Sequence, residues 1–165
     1  MISLNTYIYR GNLIESQHKA ICLIKDISNK IILSTNNDCD LIYPRSAIKI
    51  FQALPFIHSK AHIIFNLNKE SIALACSSHA GEPMHLRVLN KWLKKIGILE
   101  NTLLCGSHNP LDEKSSNQLL LNGKIPTQLH NNCAGKHLGM ISGCIAYKID
   151  IDKYTNFNHP YQKLI

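Results

Sequence analysis

The sequence predicts a mixed domain, either α+β or a three-layer α/β/α arrangement, and three observations support this fold class. Residues 6–35 are β-like, later segments have helical apolar spacing, and small-residue loops occur between them. With 165 residues, of which 45% are apolar, the chain is large enough to bury the core of one domain. We therefore expect a single domain that spans residues 1–165.

The N-terminal segments predict β-strands, among them one hairpin. The stretch "TYIYRGNLIESQHKAICLIKD" is β-like and is broken at Gly11 and Asn12. Further along, the apolar runs "AICLIKD" and "KIILST" flank the residues "DISN", a pattern that is typical of a hairpin.

Helical segments follow the strands. A helix is predicted from about Arg45 to a stop near Pro55, and "SIALACSSHAGE" begins as a buried strand or helix and continues as a loop. The next helix has Gly97 as its C-cap and apolar residues at helical spacing, namely Leu86, Leu89, Leu93 and Ile96. Asp112 is a capping candidate for another helix, and "HNNCAGKHLGMISGCIAYKI" is a small-residue turn that enters an apolar helix.

Charge and cysteine content exclude several classes of protein. The net charge is +7, but the 18 lysines and arginines are scattered and aromatic residues are few, which argues against nucleic-acid binding. The first ten residues lack the apolar region of a signal peptide, and no apolar run is long enough for a membrane span. The six cysteines include no C-x-x-C pair, so we expect free thiols in a cytoplasmic protein.

The stretch "YPRSAIKIFQALPF" places Ser46 and Lys49 three residues apart at the start of an apolar helix. Side chains at this spacing share one face of a helix, and a lysine kept from water in its neutral form can accept a serine proton. A serine and a lysine on an exposed helical face are the ordinary alternative. Because apolar residues surround Lys49 in the sequence, we favour a nucleophile and its base.

Two further segments combine chemically active side chains. The loop "CSSHAGEPMH" contains two serines, two histidines and a glutamate, although Glu82 and Pro83 also suit the first turn of a helix. In "HNNCAGKH", Cys133 and Lys136 lie at i and i+3 at a helix start, where a thiolate is stabilised. A helix cap with a buried thiol explains the second segment equally well, and zinc binding is a weaker signal without a C-x-x-C pair.

Six segments in this order resemble the asparaginase II family, the bacterial L-asparaginases of the inducible, thermolabile rhizobial type. They are "RGNLIESQH", "YPRSAIKIFQALPF", "CSSHAGEPMH", "CGSHNPLDE", "LHNNCAGKHLGM" and "HPYQ". The resemblance covers essentially the whole chain. It implies hydrolysis of L-asparagine to L-aspartate and ammonia, a fold similar to serine β-lactamases and glutaminases with a sheet flanked by helices, and a homodimer.

The resemblance also assigns roles to individual residues of this chain. The catalytic residues it implies are Ser46, Lys49 and Ser78, with Lys49 as proton acceptor or relay for Ser46. A zinc site is expected to include Cys133 and Lys136. The two segments that contain these catalytic residues, "YPRSAIKIFQALPF" and "CSSHAGEPMH", also contain our candidates for substrate binding, which are Arg45, His79 and Glu82.

The chain also departs from the family pattern. Family members are longer, and both a lysine partner for Ser78 and a later metal-binding cysteine have no counterpart before Ile165. Ala134 replaces a serine that is common in the family. We therefore expect a domain that is truncated at its C-terminus, where a helix would begin near Pro160. The alternative to an asparaginase is an inactive remnant that only folds or associates with a complementing C-terminal chain.

Overall fold

The computed structural model describes residues 4–35 and 41–165, and it divides into two compact units. One unit lies within residues 1–43 and the other within residues 44–165. Strands are confined to the first unit and helices to the second, among the residues described. Each unit is therefore considered by itself.

The first unit consists of two antiparallel hairpins. Strands β1 (Leu4–Arg10) and β2 (Leu13–Ala20) pair across the turn at Gly11, whose φ of 60° is the left-handed conformation that glycine adopts readily. Strands β3 (Leu23–Lys25) and β4 (Ile31–Ser34) form the second pair. The Asp26 carboxylate accepts hydrogen bonds from backbone N–H groups of the connecting turn. The predicted β-like segment with its break at Gly11 and the predicted hairpin are thus confirmed.

The second unit contains seven α-helices among its residues. In chain order they are α1 (Lys49–Gln52), α2 (Leu54–His58), α3 (Ala61–Ile64), α4 (Lys69–Cys76), α5 (Pro83–Ile96), α6 (Glu113–Leu121) and α7 (Ala134–Tyr147). Short 3-10 turns lie at Arg45–Ile48, Glu100–Thr102, Gln128–His130 and Gln162–Leu164. The predicted caps are confirmed, because Gly97 ends α5 in the left-handed conformation and the Asp112 side chain accepts from Ser115 N–H before α6.

Two helix boundaries were predicted wrongly. The helix that begins near Arg45 does not end at Pro55; it breaks at Ala53, and Pro55 lies in the first turn of α2. Proline is tolerated there because the first N–H groups of a helix have no intrahelical partner. The helix expected from about Pro160 is a single 3-10 turn at Gln162–Leu164, since so short a segment cannot sustain an α-helix.

Helix α7 lies at the centre of the second unit and packs against α2, α3, α4 and α5. Its closest approach is to α4, where a Cβ atom added at Gly135 would lie 2.6 Å from the carbonyl carbon of Leu74. Phe56 and Trp92 are fully buried beside it, and their ring centroids lie 5.5 Å apart. The predicted small-residue helix is therefore confirmed, and its glycines permit this contact with α4.

The predicted mixed class of helices and strands is confirmed. Each sheet among the described residues has two strands, and a serine β-lactamase-like arrangement stays a prediction, as does the single truncated domain. Of the six cysteines, the five in the described ranges are free thiols, and Cys39 lies outside those ranges. No helix in residues 4–35 or 41–165 is long and apolar enough to cross a membrane.

Candidate active site

Ser46, Lys49 and Ser78 come together from two separate segments of the second unit. Ser46 belongs to the 3-10 turn Arg45–Ile48, Lys49 begins α1, and Ser78 follows the C-terminus of α4. The Ser46 and Ser78 Oγ atoms lie 3.0 Å apart, and Lys49 Nζ lies 2.7 Å from Ser78 Oγ. The hydrogen bonds therefore run from Lys49 through Ser78 to Ser46, and none joins Lys49 directly to Ser46.

The Lys49 side chain is buried, with 3% of its surface exposed. Besides Ser78 Oγ, its Nζ contacts the backbone carbonyl oxygen of Ser77 at 3.2 Å. No carboxylate in the described ranges lies within salt-bridge distance of it. Its two hydrogen-bond partners are therefore a carbonyl oxygen and a hydroxyl group, both uncharged. The Ser46 and Ser78 residues are exposed, so a substrate can reach both hydroxyl groups.

His79 follows Ser78 directly and is 4% exposed. Its Nδ1 accepts a hydrogen bond from Gly81 N–H at 3.1 Å, which places the proton of the neutral ring on Nε2. Nε2 is buried and has no hydrogen-bond partner among the described residues. Burial, followed by the nearby His85, Lys49 and His108, lowers the pKa of His79 to about 4.

The backbone of the loop at residues 77–82 is held by neighbouring loops. Ala80 carbonyl oxygen accepts from Asp112 N–H at 2.9 Å. Gly81 has a φ of 80°, and a Cβ atom added there would lie 3.0 Å from Pro110 Cβ and 3.4 Å from His130 carbonyl oxygen. This position therefore requires glycine both for its left-handed conformation and for lack of space.

Arg45 and Glu82 lie at the edges of the site. Arg45 is exposed and has a φ of 50°, an uncommon value for a non-glycine residue. Glu82 is half-buried at the N-cap of α5, where its backbone N–H donates to His85 Nδ1 at 3.2 Å. Neither side chain forms a hydrogen bond with the two serines or Lys49. Their roles in substrate binding, like that of His79, stay predictions.

Cys133 and Lys136 are both half-buried at the start of α7. The Asn131 side chain connects this segment to another loop: its Oδ1 accepts from Cys133 N–H and its Nδ2 donates to Cys105 carbonyl oxygen, each at 2.8 Å. Burial is the main cause that raises the pKa of Cys105 to about 11; the nearby Cys133 also raises this pKa, whereas Lys136 lowers it. In the described part of the chain, no three His, Cys, Asp or Glu side chains form a metal-binding group.

Sequence reasoning assigned no specific role to several residues that surround the site. His108 Nε2 accepts from Asn132 N–H at 3.1 Å, and His79 N–H donates to Asn132 carbonyl oxygen at 3.3 Å. His137 is buried, its Nδ1 lies 2.6 Å from the Tyr154 hydroxyl, and burial is the main cause that lowers its pKa to about 4. The segment "CGSHNPLDE" contains His108, but only contacts between distant loops show what this histidine does.

Comparison with known proteins gives one family. The model of the family described as L-asparaginase II matches residues 6–165. Curated proteins gave no match. The match spans both structural units and includes every candidate site residue.

Proposed function

Because the chain belongs to the L-asparaginase II family, we propose that it hydrolyses L-asparagine to L-aspartate and ammonia by serine–lysine nucleophilic catalysis. The observation that supports this mechanism is the hydrogen-bonded sequence Lys49 Nζ, Ser78 Oγ, Ser46 Oγ, with distances of 2.7 and 3.0 Å. Nucleophilic catalysis by serine requires a base within such reach. Here Lys49 reaches Ser46 through the hydroxyl group of Ser78.

The first chemical step is acylation of Ser46. Ser46 Oγ attacks the side-chain amide carbon of asparagine while its proton passes to Ser78 Oγ and the Ser78 proton passes to Lys49 Nζ. The proton then returns along the same path to the amide nitrogen, the C–N bond breaks, and ammonia leaves. The product of this step is a β-aspartyl ester on Ser46.

The second step is hydrolysis of that ester. Water attacks the ester carbonyl carbon and gives its proton to the same path, and the C–O bond to Ser46 breaks as the proton returns to Ser46 Oγ. Aspartate leaves with its new side-chain carboxyl group. Lys49 serves both steps because its Nζ contacts Ser78 Oγ, the hydroxyl through which the proton passes to and from Ser46.

Cys133 and Lys136 are proposed to contribute two ligands to a zinc site. Their spacing at the first turn of α7 puts both side chains on one face, and a thiolate is a preferred zinc ligand. Both residues are half-buried, so they suit a site at the surface rather than in the core. Zinc supplies Lewis-acid polarisation when it is bound. Zinc takes four ligands, so the remaining donors come from outside this pair.

The remaining proposals concern the whole protein. A serine β-lactamase-like fold is supported by the serine and lysine at the start of an apolar helix and by the second serine after α4. A homodimer in the cytoplasm follows from the family resemblance and agrees with the free thiols in the described ranges.

Ammonia release and serine acylation together test the proposed function. The purified chain is incubated with L-asparagine, and the released ammonia is measured. In a second experiment a β-aspartyl ester serves as the acyl donor, and peptide mass spectrometry identifies the serine on which the acyl group is trapped. We expect trapping on Ser46 and loss of ammonia release in Ser46→Ala, Ser78→Ala and Lys49→Met, because members of a catalytic unit do not act singly. Ser116→Ala on α6 is the matched control.

The outcomes separate the alternatives. Ammonia release that persists in Ser46→Ala contradicts the nucleophile, and trapping on Ser78 assigns the nucleophile to the serine next to the lysine. If neither ammonia nor an acylated serine appears above the variant background, the chain is an inactive remnant and the proposal is wrong.

A further inference from the structure

We infer that His79 is a positioning residue for the serine–lysine site, where it holds Ser78 between Lys49 and Ser46. This inference rests on the proposed use of these three residues in catalysis. It differs from the substrate-binding role expected for His79, because the ring is buried and acts on its own loop.

The position of Ser78 depends on the loop that carries it. Helix α4 ends at Cys76, and Ser77 already has the extended backbone angles of φ −130° and ψ 171°. The Ser78 hydroxyl must nevertheless lie within hydrogen-bond distance of two atoms from another segment, Lys49 Nζ and Ser46 Oγ. Because Ser78 lies outside a helix, the hydrogen bonds of the next residue, His79, hold this part of the loop in place.

His79 anchors the loop on two sides. Its backbone N–H donates to Asn132 carbonyl oxygen at 3.3 Å, which ties Ser78 to the segment before α7. Its ring Nδ1 accepts from Gly81 N–H at 3.1 Å, which closes the loop two residues further on. His108 helps to hold Asn132, the partner of the His79 backbone, because His108 Nε2 accepts from Asn132 N–H at 3.1 Å.

The ring can hold this position only while it is uncharged. A second proton would sit on Nδ1, where it would face Gly81 N–H instead of accepting from it. The charged ring would also lie near Lys49, His85 and His108, which are basic groups from α1, α5 and the loop before α6. Burial of the ring, followed by these neighbours, lowers its pKa to about 4, so His79 is neutral at neutral pH.

Two substitutions separate positioning from general packing. His79→Asn keeps a side-chain oxygen that can accept from the N–H two residues on, as asparagine does in an Asx-turn. His79→Leu keeps apolar bulk but removes the acceptor. His159→Leu is the matched control, since His159 Nδ1 accepts from Tyr161 N–H two residues on, at 3.2 Å, in a segment that forms no hydrogen bond with the site.

The primary measurement is the rate at which a fluorophosphonate probe modifies Ser46 and Ser78, followed by peptide mass spectrometry from pH 4 to pH 8. This rate reports serine reactivity and does not require asparagine turnover. We expect His79→Leu to lower it by at least about tenfold, because small displacements of a catalytic group have large effects on rate. His79→Asn should restore most of the loss, and His159→Leu should match the unmodified protein.

The results distinguish a failure of the inference from a failure of the proposed function. Probe modification without ammonia release from asparagine contradicts the proposed function but leaves the comparison of variants intact. The inference is wrong if His79→Leu reacts like the unmodified protein, or if His79→Asn is as slow as His79→Leu when circular dichroism shows all variants folded. It is also wrong if neither serine of the unmodified protein reacts. Should His79→Leu not fold, His79→Asn alone decides, and a loss of reactivity there contradicts the inference.

Discussion

Substitution of Gly135 by alanine should destabilise the second unit although alanine is normally the better helix former. Gly135 lies in the first turn of α7, directly against α4. A Cβ atom added there would lie 2.6 Å from the carbonyl carbon of Leu74 and 2.7 Å from Leu74 Cβ, and it would also overlap the Leu74 carbonyl oxygen. Real Cβ atoms do not approach other heavy atoms so closely, so α7 and α4 must separate.

The expected magnitude follows from two opposing contributions. Glycine in a helix interior costs about 0.5–1 kcal/mol relative to alanine, so the substitution gains at most that amount. Extra atoms in a well-packed core cost about 1–3 kcal/mol, and the upper part of this range applies where the clash is with backbone rather than a movable side chain. We therefore expect Gly135→Ala to lower the free energy of unfolding by about 1–2 kcal/mol.

Gly139→Ala is the matched control, because it lies on the same helix and also faces α4. A Cβ atom at Gly139 would lie 3.3 Å from Ala75 Cβ and 3.7 Å from Phe56 Cγ, which are side-chain atoms that can shift by a few tenths of an ångström. Its helix-propensity gain then offsets the tighter contact, and we expect stability within about 1 kcal/mol of the unmodified protein. Urea unfolding followed by Trp92 fluorescence measures all three proteins. Equal stability of Gly135→Ala and Gly139→Ala would refute the close contact between α7 and α4.

Two further predictions concern acid and zinc. Burial is the main cause that lowers the pKa of His79 and His137 from 6.5 to about 4, so the unfolded chain binds more protons between these values. The free energy of unfolding should therefore be highest above about pH 6.5 and should fall as the pH drops toward 4. Urea unfolding curves recorded across this pH range measure it, and a constant free energy of unfolding would contradict the buried neutral rings. In equilibrium dialysis with zinc, Cys133→Ser and Lys136→Met should bind less metal than the unmodified protein, and binding should weaken at lower pH because both ligands must lose a proton. Cys76→Ser is the matched thiol control, and zinc binding unchanged in both site variants would exclude the pair as ligands.

Local sequence signals predicted the elements whose determinants lie within a few residues. The turn at Gly11 and the end of α5 at Gly97 were predicted correctly because the left-handed conformation favours glycine at each position. The spacing of Ser46 and Lys49 led us to expect both side chains on one helical face, and their catalytic role stays a prediction. The stop at Pro55 was wrong because proline ends a helix or begins one, and only the packing of the following turn decides which.

The contacts of the candidate site could not be predicted, because they join segments that are far apart in the chain. The sequence suggested that Lys49 serves Ser46 directly, whereas in the structure its Nζ contacts Ser78, which follows a different helix. The anchors of His79 come from the loops that contain Asn132 and His108, and no spacing rule relates these three positions. Family resemblance named the serines and the lysine but gave no path for the proton between them.

In the proposed mechanism, the path through Ser78 makes catalysis depend on the packing of two helices that carry no catalytic hydroxyl of their own. Lys49 lies on α1, and Ser78 follows α4, and these two helices pack against each other. The position of α4 is in turn fixed by its contact with α7 at Gly135. A shift of α4 away from α7 therefore moves Ser77 carbonyl oxygen and Ser78 Oγ together, and both are hydrogen-bond partners of Lys49 Nζ. A serine contacted directly by a lysine on its own helix would be insensitive to that shift, so a loss of serine reactivity in Gly135→Ala that exceeds the loss in Gly139→Ala is the consequence specific to this arrangement.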